Sequence, residues 1–200
     1  MLNYYYKNIF PFLINKNIGN KEIIELRRKA LSCAKGEILE IGIGTGLNLD
    51  LYPDSVERIT AIDNYVRILP KSKVKVDFYN MSADNIAFKE NTFETVVSTF
   101  CLCSITNLEK SLQEIKRVLK PNGILIFLEH GRADIKSVQL LQEISNPIFN
   151  IFAGGCNVNR NHFEILENNR FKVEGNIKRV NIFPKSITGY VYMGVAVNEK

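Results

Sequence analysis

The chain has no tryptophan, only two histidines and four cysteines, and no long apolar run. Each shortage excludes something. Cys33, Cys101, Cys103 and Cys156 are too few and too scattered in 200 residues for a disulfide scaffold. Reduced thiols and a cytoplasmic setting are therefore expected. The cleanest apolar stretch, Ile124-Leu125-Ile126-Phe127-Leu128, falls far short of the ~20 residues a membrane helix needs. The N-terminus lacks the basic, apolar and small-residue order of a secretory signal, so none is expected. No Cys-x-x-Cys pair or zinc-type spacing is present, so no metal is expected either. Repeats, low-complexity tracts and linkers are also missing.

What remains is an ordinary globular composition, 46% apolar and 24% charged. The length suits one domain spanning residues 1–200. Net charge is +5, yet no basic cluster exceeds Arg27-Arg28-Lys29. That pattern fits solvated surface lysines better than a nucleic-acid footprint.

Hydrophobic periodicity orders the chain. Residues 1–19 are rich in aromatics (Tyr4, Tyr5, Tyr6, Phe10, Phe12) and broken at Pro11. In 21–34, Ile23, Ile24, Arg27, Ala30 and Leu31 fall on a helical stripe. Residues 1–34 are thus expected to form an N-terminal lid and helix. Strands are expected at 37–41, 58–62, 74–79, 93–98 and 124–129. Short helices are expected at 47–52 and 64–69, and a longer one at 108–119 that stops at Pro121-Asn122-Gly123. Strand-helix alternation of this kind means an α/β, doubly wound sheet of parallel strands. The last third differs. Residues 134–152 read as a helix interrupted at Pro147, and 161–169 as another. Residues 134–170 are expected as a helical insertion over the pocket. A closing strand pair at 171–180 and 188–197 includes one antiparallel strand.

The chemistry concentrates in Glu40-Ile41-Gly42-Ile43-Gly44-Thr45-Gly46, which follows a strand and opens a helix. Glycines there permit a tight turn and let a ligand approach the backbone. The spacing is G-x-G-x-G, not the G-x-G-x-x-G of dinucleotide binding. Asp63 ends the second strand, where a carboxylate can accept both hydroxyls of a ribose. Asp84 follows the third strand and is placed to accept from an adenine amino group. The bland alternative makes the glycines a simple turn and Asp63 and Asp84 helix caps.

These segments resemble the class I S-adenosylmethionine-dependent methyltransferases. The resemblance is closest to a branch containing bacterial phosphatidylethanolamine N-methyltransferase-like proteins and the animal methyltransferase-like 7 thiol methyltransferases. It runs from about Lys35 to the C-terminus. Leu102-Cys103-Ser104, Leu128-Glu129-His130 and Gly155-Cys156-Asn157 mark the branch. The resemblance implies a Rossmann-like, seven-stranded, mostly parallel sheet and S-adenosylmethionine as cofactor. It implies that Glu40, Gly42, Gly44 and Gly46 shape the methionine end of the site. Asp63 would hold the ribose beside Asn64, Ala83 and Asp84 would face the adenine, and Thr99 and Phe100 would lie near the transferring methyl. Two departures stand out: Glu94 replaces the usual Asp, and the long hydrophobic anchor of the animal members is missing from the first nineteen residues.

A sulfonium methyl is already activated, so alignment and water exclusion carry most of the catalysis. His130, at the end of the fifth strand, is the candidate base or orienting group; a structural role is its plainer alternative. His162 is expected at the surface. Cys101, Cys103 and Cys156 could form a three-thiol site, although buried cysteines are commonly small hydrophobes. The expected acceptor is a small, partly apolar thiol, amine or lipid-like molecule, with peripheral membrane contact as an option. A nucleic-acid methyltransferase and a non-catalytic cofactor-binding protein are the alternatives.

Overall fold

The computed structural model describes residues 15–64, 70–180 and 182–200. The aromatic segment at 1–14 and most of the helix expected at 64–69 lie outside the described residues.

Seven strands form one sheet: β1 (Ile38–Ile41), β2 (Arg58–Asp63), β3 (Lys75–Asn80), β4 (Phe93–Thr99), β5 (Leu119–His130), β6 (Phe171–Arg179) and β7 (Tyr190–Asn198). Their order is β3-β2-β1-β4-β5-β7-β6. β7 runs antiparallel to both neighbours, and the other pairings are parallel. The chain builds outward from β1 through β2 to β3, then returns to place β4 on the other side of β1. That reversal makes the carboxyl ends of β1 and β4 the switch point where such sheets bind ligands.

Helices lying wholly among the described residues include α1 (Lys21–Leu31), α2 (Leu108–Val118), α3 (Lys136–Phe152), α4 (His162–Asn168) and α5 (Lys185–Thr188). The Asn20 side chain caps α1 by accepting from the Ile23 amide at 3.1 Å. Successive strand residues point to opposite faces, so the sheet carries two cores. On one face Ile38, Val97 and Ile126 pack with Ile23 and Leu31 of α1. On the other, Leu39, Val96 and Leu125 pack with Leu112 and Ile115 of α2. Glu40 is two residues beyond Ile38 and therefore lies on the α1 face. Arg27, four residues after Ile23, belongs to the buried side of α1.

Three local expectations need correction. Residues 47–52 form a single 3-10 turn, Leu49–Leu51, rather than an α-helix. Pro121-Asn122-Gly123 does not end the preceding helix but sits inside β5. Phe93 pairs with Leu119 and Thr95 with Ile124, so the extra residues bulge out, with Asn122 at φ +60°. Pro147 does not interrupt α3. Pro147 and Glu143, whose carbonyl the proline leaves without a helical donor, are both exposed residues.

Candidate cofactor and acceptor site

A cleft of about 810 Å³ opens at the carboxyl ends of β1, β2 and β4. Of the ten residues expected at the cofactor, nine line it: Glu40, Gly42, Gly44, Asp63, Asn64, Ala83, Asp84, Thr99 and Phe100. Gly46 does not; its amide closes the turn onto the Ile43 carbonyl at 3.0 Å. Gly42 and Gly44 both adopt left-handed backbone, at φ +67° and +55°. A Cβ on Gly42 would overlap the Cys101 side chain, whereas one on Gly44 would meet only a carbonyl oxygen at 3.8 Å. Gly44 thus presents bare backbone to the open cleft. Its amide donates to Asp63 Oδ2 at 2.9 Å, which ties the loop to the end of β2.

Behind the loop lies a buried charged network. Glu40 is 2% exposed and accepts from Tyr52 Oη at 2.7 Å and Asn48 Nδ2 at 2.9 Å. Burial pushes its carboxyl up to about 7, against the pull of those donors and of the Arg27 charge. Arg27, 3% exposed, donates from Nη1 to Asn48 Oδ1 at 2.8 Å and Thr99 Oγ1 at 2.6 Å. Burial lowers its guanidinium to about 10. Its Nε has no hydrogen-bond partner among the described residues. Arg27 lies 5.1 Å from the centroid of Phe100, a non-glycine residue held at φ +54° where the chain leaves β4. Such a backbone persists only where surroundings enforce it, and the Phe100 amide is tied to the Leu128 carbonyl at 2.7 Å.

A second cavity of about 240 Å³ shares Ile18, Phe100 and Ser104 with the first. Phe149, Phe152, Ala153 and Ile182 supply much of its wall. Cys103, His130 and Cys156 also line it. Cys156 Sγ lies 3.4 Å from Cys103 Sγ and 3.5 Å from His130 Nδ1. The hydrogen bond between the two thiols moves them in opposite directions. Cys103 is pushed up, and Cys156 is lowered by that bond and the neighbouring imidazole. The His130 ring packs on Phe100 with centroids 4.7 Å apart.

Glu129 is fully buried and does different work. Its Oε1 accepts from Ser98 Oγ at 2.6 Å and from the Cys101 and Leu102 amides at 3.1 and 3.0 Å. Its Oε2 accepts from the Cys103 amide at 3.1 Å. One carboxylate therefore organises the turn that carries Cys101 and Cys103.

Sequence reasoning placed Arg27 on the helical stripe but gave it no role, and it missed Asn48. A cation on an otherwise apolar helix face was the available signal. His162 is not at the surface: it is 1% exposed, its Nε2 lies 2.9 Å from the His130 carbonyl, and burial lowers its pKa. The Tyr192 ring, 5.7 Å away, completes its enclosure. Nor do three thiols gather. Cys101 faces the glycine loop, and His130 takes the third place beside Cys103 and Cys156.

Residues 39–127 match the family described as "Methyltransferase domain". The human thiol S-methyltransferase TMT1A is 31% identical over 176 residues, covering 81% of this chain and 72% of its own length. The phosphatidylethanolamine N-methyltransferase of Cereibacter sphaeroides is 32% identical over 108 residues, covering 50% of this chain and 53% of its own. A solved S-adenosylmethionine-dependent methyltransferase of Thermotoga maritima superposes with a TM-score of 0.67 at 17% identity, covering 98% of this chain and 97% of that one. At that identity the likeness shows the fold alone, and function rests on the sequence relatives and the site. The seven-stranded sheet, the glycine loop at its switch point and these relatives together make the chain a member of the class I S-adenosylmethionine-dependent methyltransferases.

Proposed function

We propose that this enzyme methylates the thiol of a small, partly apolar molecule, with the cofactor in the larger cleft and the acceptor in the smaller cavity. The observation that carries the proposal is the junction of the two spaces at Phe100 and Ser104, with sulfur and imidazole on the acceptor side. The naming of TMT1A as a thiol S-methyltransferase supports the same acceptor class.

In this reading Asp63 grips the ribose, with Asn64 beside it, and Ala83 and Asp84 meet the adenine. Gly44 receives the amino-acid tail on bare backbone, Gly42 makes room for Cys101 beside it, and Gly46 holds the turn. Glu40 attracts the tail's ammonium, while the buried Arg27 attracts its carboxylate. Thr99 and Phe100 flank the methyl. The cofactor's carbon–sulfonium bond breaks as the acceptor sulfur bonds to the same carbon, and neutral S-adenosylhomocysteine leaves. The acceptor must first lose its proton, and His130 and Cys156 are polar groups that line its cavity. Asn150, Ile151 and Gly154 line the cleft, and Phe149, Phe152 and Ala153 line the cavity, so the segment around the end of α3 serves as a cover that excludes water.

Transfer of labelled methyl from S-adenosylmethionine to a panel of aryl thiols, alkyl thiols, amines and quinols tests the proposal. Label should appear on thiols. Label on amines or quinols alone contradicts it, and cofactor binding without transfer to any of them returns the non-catalytic reading.

A lipid-borne acceptor is the second reading. It is favoured by the outer side of α3, where Leu140, Ile144 and Ile148 are 63%, 69% and 66% exposed. Co-sedimentation with anionic vesicles, and labelling of phosphatidylethanolamine within them, would move the assignment there. Among the described residues no helix is long and apolar enough to cross a membrane.

A further inference from the structure

We propose that Cys103, His130 and Cys156 form a site for a thiophilic divalent cation of the zinc class, with one coordination position open to the acceptor cavity. Their ligand atoms all lie within 4.8 Å of one another, and all three residues are buried. Zinc bonds thiolate at ~2.3 Å and imidazole at ~2.0–2.1 Å, so a tetrahedral ion holds its ligand atoms roughly 3.5–3.8 Å apart. The separations here are 3.4 Å between the sulfurs and 3.5 Å from Cys156 Sγ to His130 Nδ1. The third separation, from Cys103 Sγ to the His130 ring, lies within 4.8 Å, so a shift of no more than about 1 Å closes the arrangement on an ion. Two sulfurs and one imidazole select zinc or a softer ion over magnesium or calcium. Two thiolates and a neutral imidazole also cancel a divalent charge, which suits a buried place.

The site is built, and its parts come from three separate segments. Glu129 fixes Cys103 through the Cys103 amide. Asn157 joins the two cysteine turns: its amide and its Nδ2 both donate to the Cys103 carbonyl, at 2.8 and 3.1 Å. Phe100 holds the His130 ring. The Leu102-Cys103-Ser104, Leu128-Glu129-His130 and Gly155-Cys156-Asn157 segments thus converge on one point. Linear spacing gave no metal signal because no two ligands share a segment.

Among the described residues the cluster holds three ligands and no fourth. Three protein ligands with an open position mark catalytic rather than structural zinc. All three border the cavity, and the 8% exposed His130 leaves Nε2 without a hydrogen-bond partner among the described residues. One consequence rests on the thiol-acceptor reading above. An acceptor thiol entering the fourth position releases its proton to solvent and binds as thiolate. A sulfur lone pair then forms the bond to the cofactor's methyl carbon as the sulfonium bond breaks. The neutral thioether is a poor ligand and departs. His130 is then a ligand, not a proton carrier.

The test uses the reduced full chain, loaded with zinc or cobalt(II) and desalted. Expected are about one metal ion per chain and, with cobalt, the absorption of a tetrahedral thiolate complex. Cys103→Ser and Cys156→Ser should each weaken retention on the order of 100-fold or more, while Cys33→Ser retains the metal. Adding benzenethiol should shift the cobalt bands. Wild-type chain holding no more metal than the Cys103→Ser/Cys156→Ser double variant overturns the site, and so does equal loss in Cys33→Ser. Cobalt bands unmoved by benzenethiol overturn the open position. The cobalt spectrum needs no variant, so a misfolded substitution leaves the test intact. S-adenosylhomocysteine titration of the same samples separates the two readings: absent binding sinks the cofactor assignment and leaves the metal result standing.

Discussion

Glu40→Gln should change how stability and cofactor affinity depend on pH. The Glu40 carboxyl titrates at about 7 in the folded protein against an ordinary 4.5, chiefly because burial disfavours its charge. Keeping it ionised in the empty cleft therefore costs the folded state about 3 kcal/mol. Between pH 4.5 and 7 the unfolded chain has released this proton and the folded chain still holds it. Wild-type stability from this group is thus full below 4.5, falls through that window and is flat above 7. The glutamine side chain of the variant has no proton to lose. Urea denaturation of both proteins at pH 5 and pH 8 should show the stability difference moving about 2.5 kcal/mol in the variant's favour at the higher pH. Cofactor supplies the missing charge partner if its ammonium lies against Glu40. Calorimetric affinity for S-adenosylhomocysteine should then rise up to about tenfold per pH unit toward 7. Parallel denaturation differences at the two pH values would refute the burial cost. An affinity flat from pH 5.5 to 7 would refute the contact.

Three further substitutions test the loop and the turn behind it. Gly44→Ala should cost about 1–2 kcal/mol for its left-handed backbone, a few degrees in Tm, yet weaken S-adenosylhomocysteine binding at least ~10-fold because the methyl enters the open cleft. Gly42→Ala should lower Tm further than Gly44→Ala in differential scanning calorimetry, since its methyl overlaps the Cys101 side chain. Glu129→Gln should lower stability by about 2–4 kcal/mol in denaturant titrations, because one amide oxygen and one NH₂ cannot accept what two carboxylate oxygens accept from three successive amides and Ser98. An unchanged midpoint would show that the Cys101–Cys103 turn does not depend on this carboxylate.

The parallel strands and the glycine loop were legible because their signals are local. Buried strands read as apolar runs, and Gly42 and Gly44 announce a turn. That Asp63 and Asp84 line the cleft was legible because one ends β2 and the other lies in the turn after β3, on the carboxyl side of the sheet. What stayed hidden depends on distant parts meeting. Arg27 gains its role from Asn48 and Thr99, 21 and 72 residues away. His162 is buried because β5 and β7 close over it, which helix-start chemistry does not reveal. Cys103 and Cys156 lie 53 residues apart, and contacts such as the Asn157 bridge bring their turns together. Pro147 misled because α3 carries its proline on an exposed part of the helix and continues through it.

The most direct measurement is isothermal titration of S-adenosylhomocysteine into the wild-type chain and into Asp63→Ala. The wild type should bind at a single site, and the variant should bind about 30-fold or more weaker, the loss of charge-assisted bonds to the ribose hydroxyls worth about 2 kcal/mol. Equal affinities, or no heat from the folded wild type, would contradict a nucleoside held by Asp63 at the tips of β1, β2 and β4.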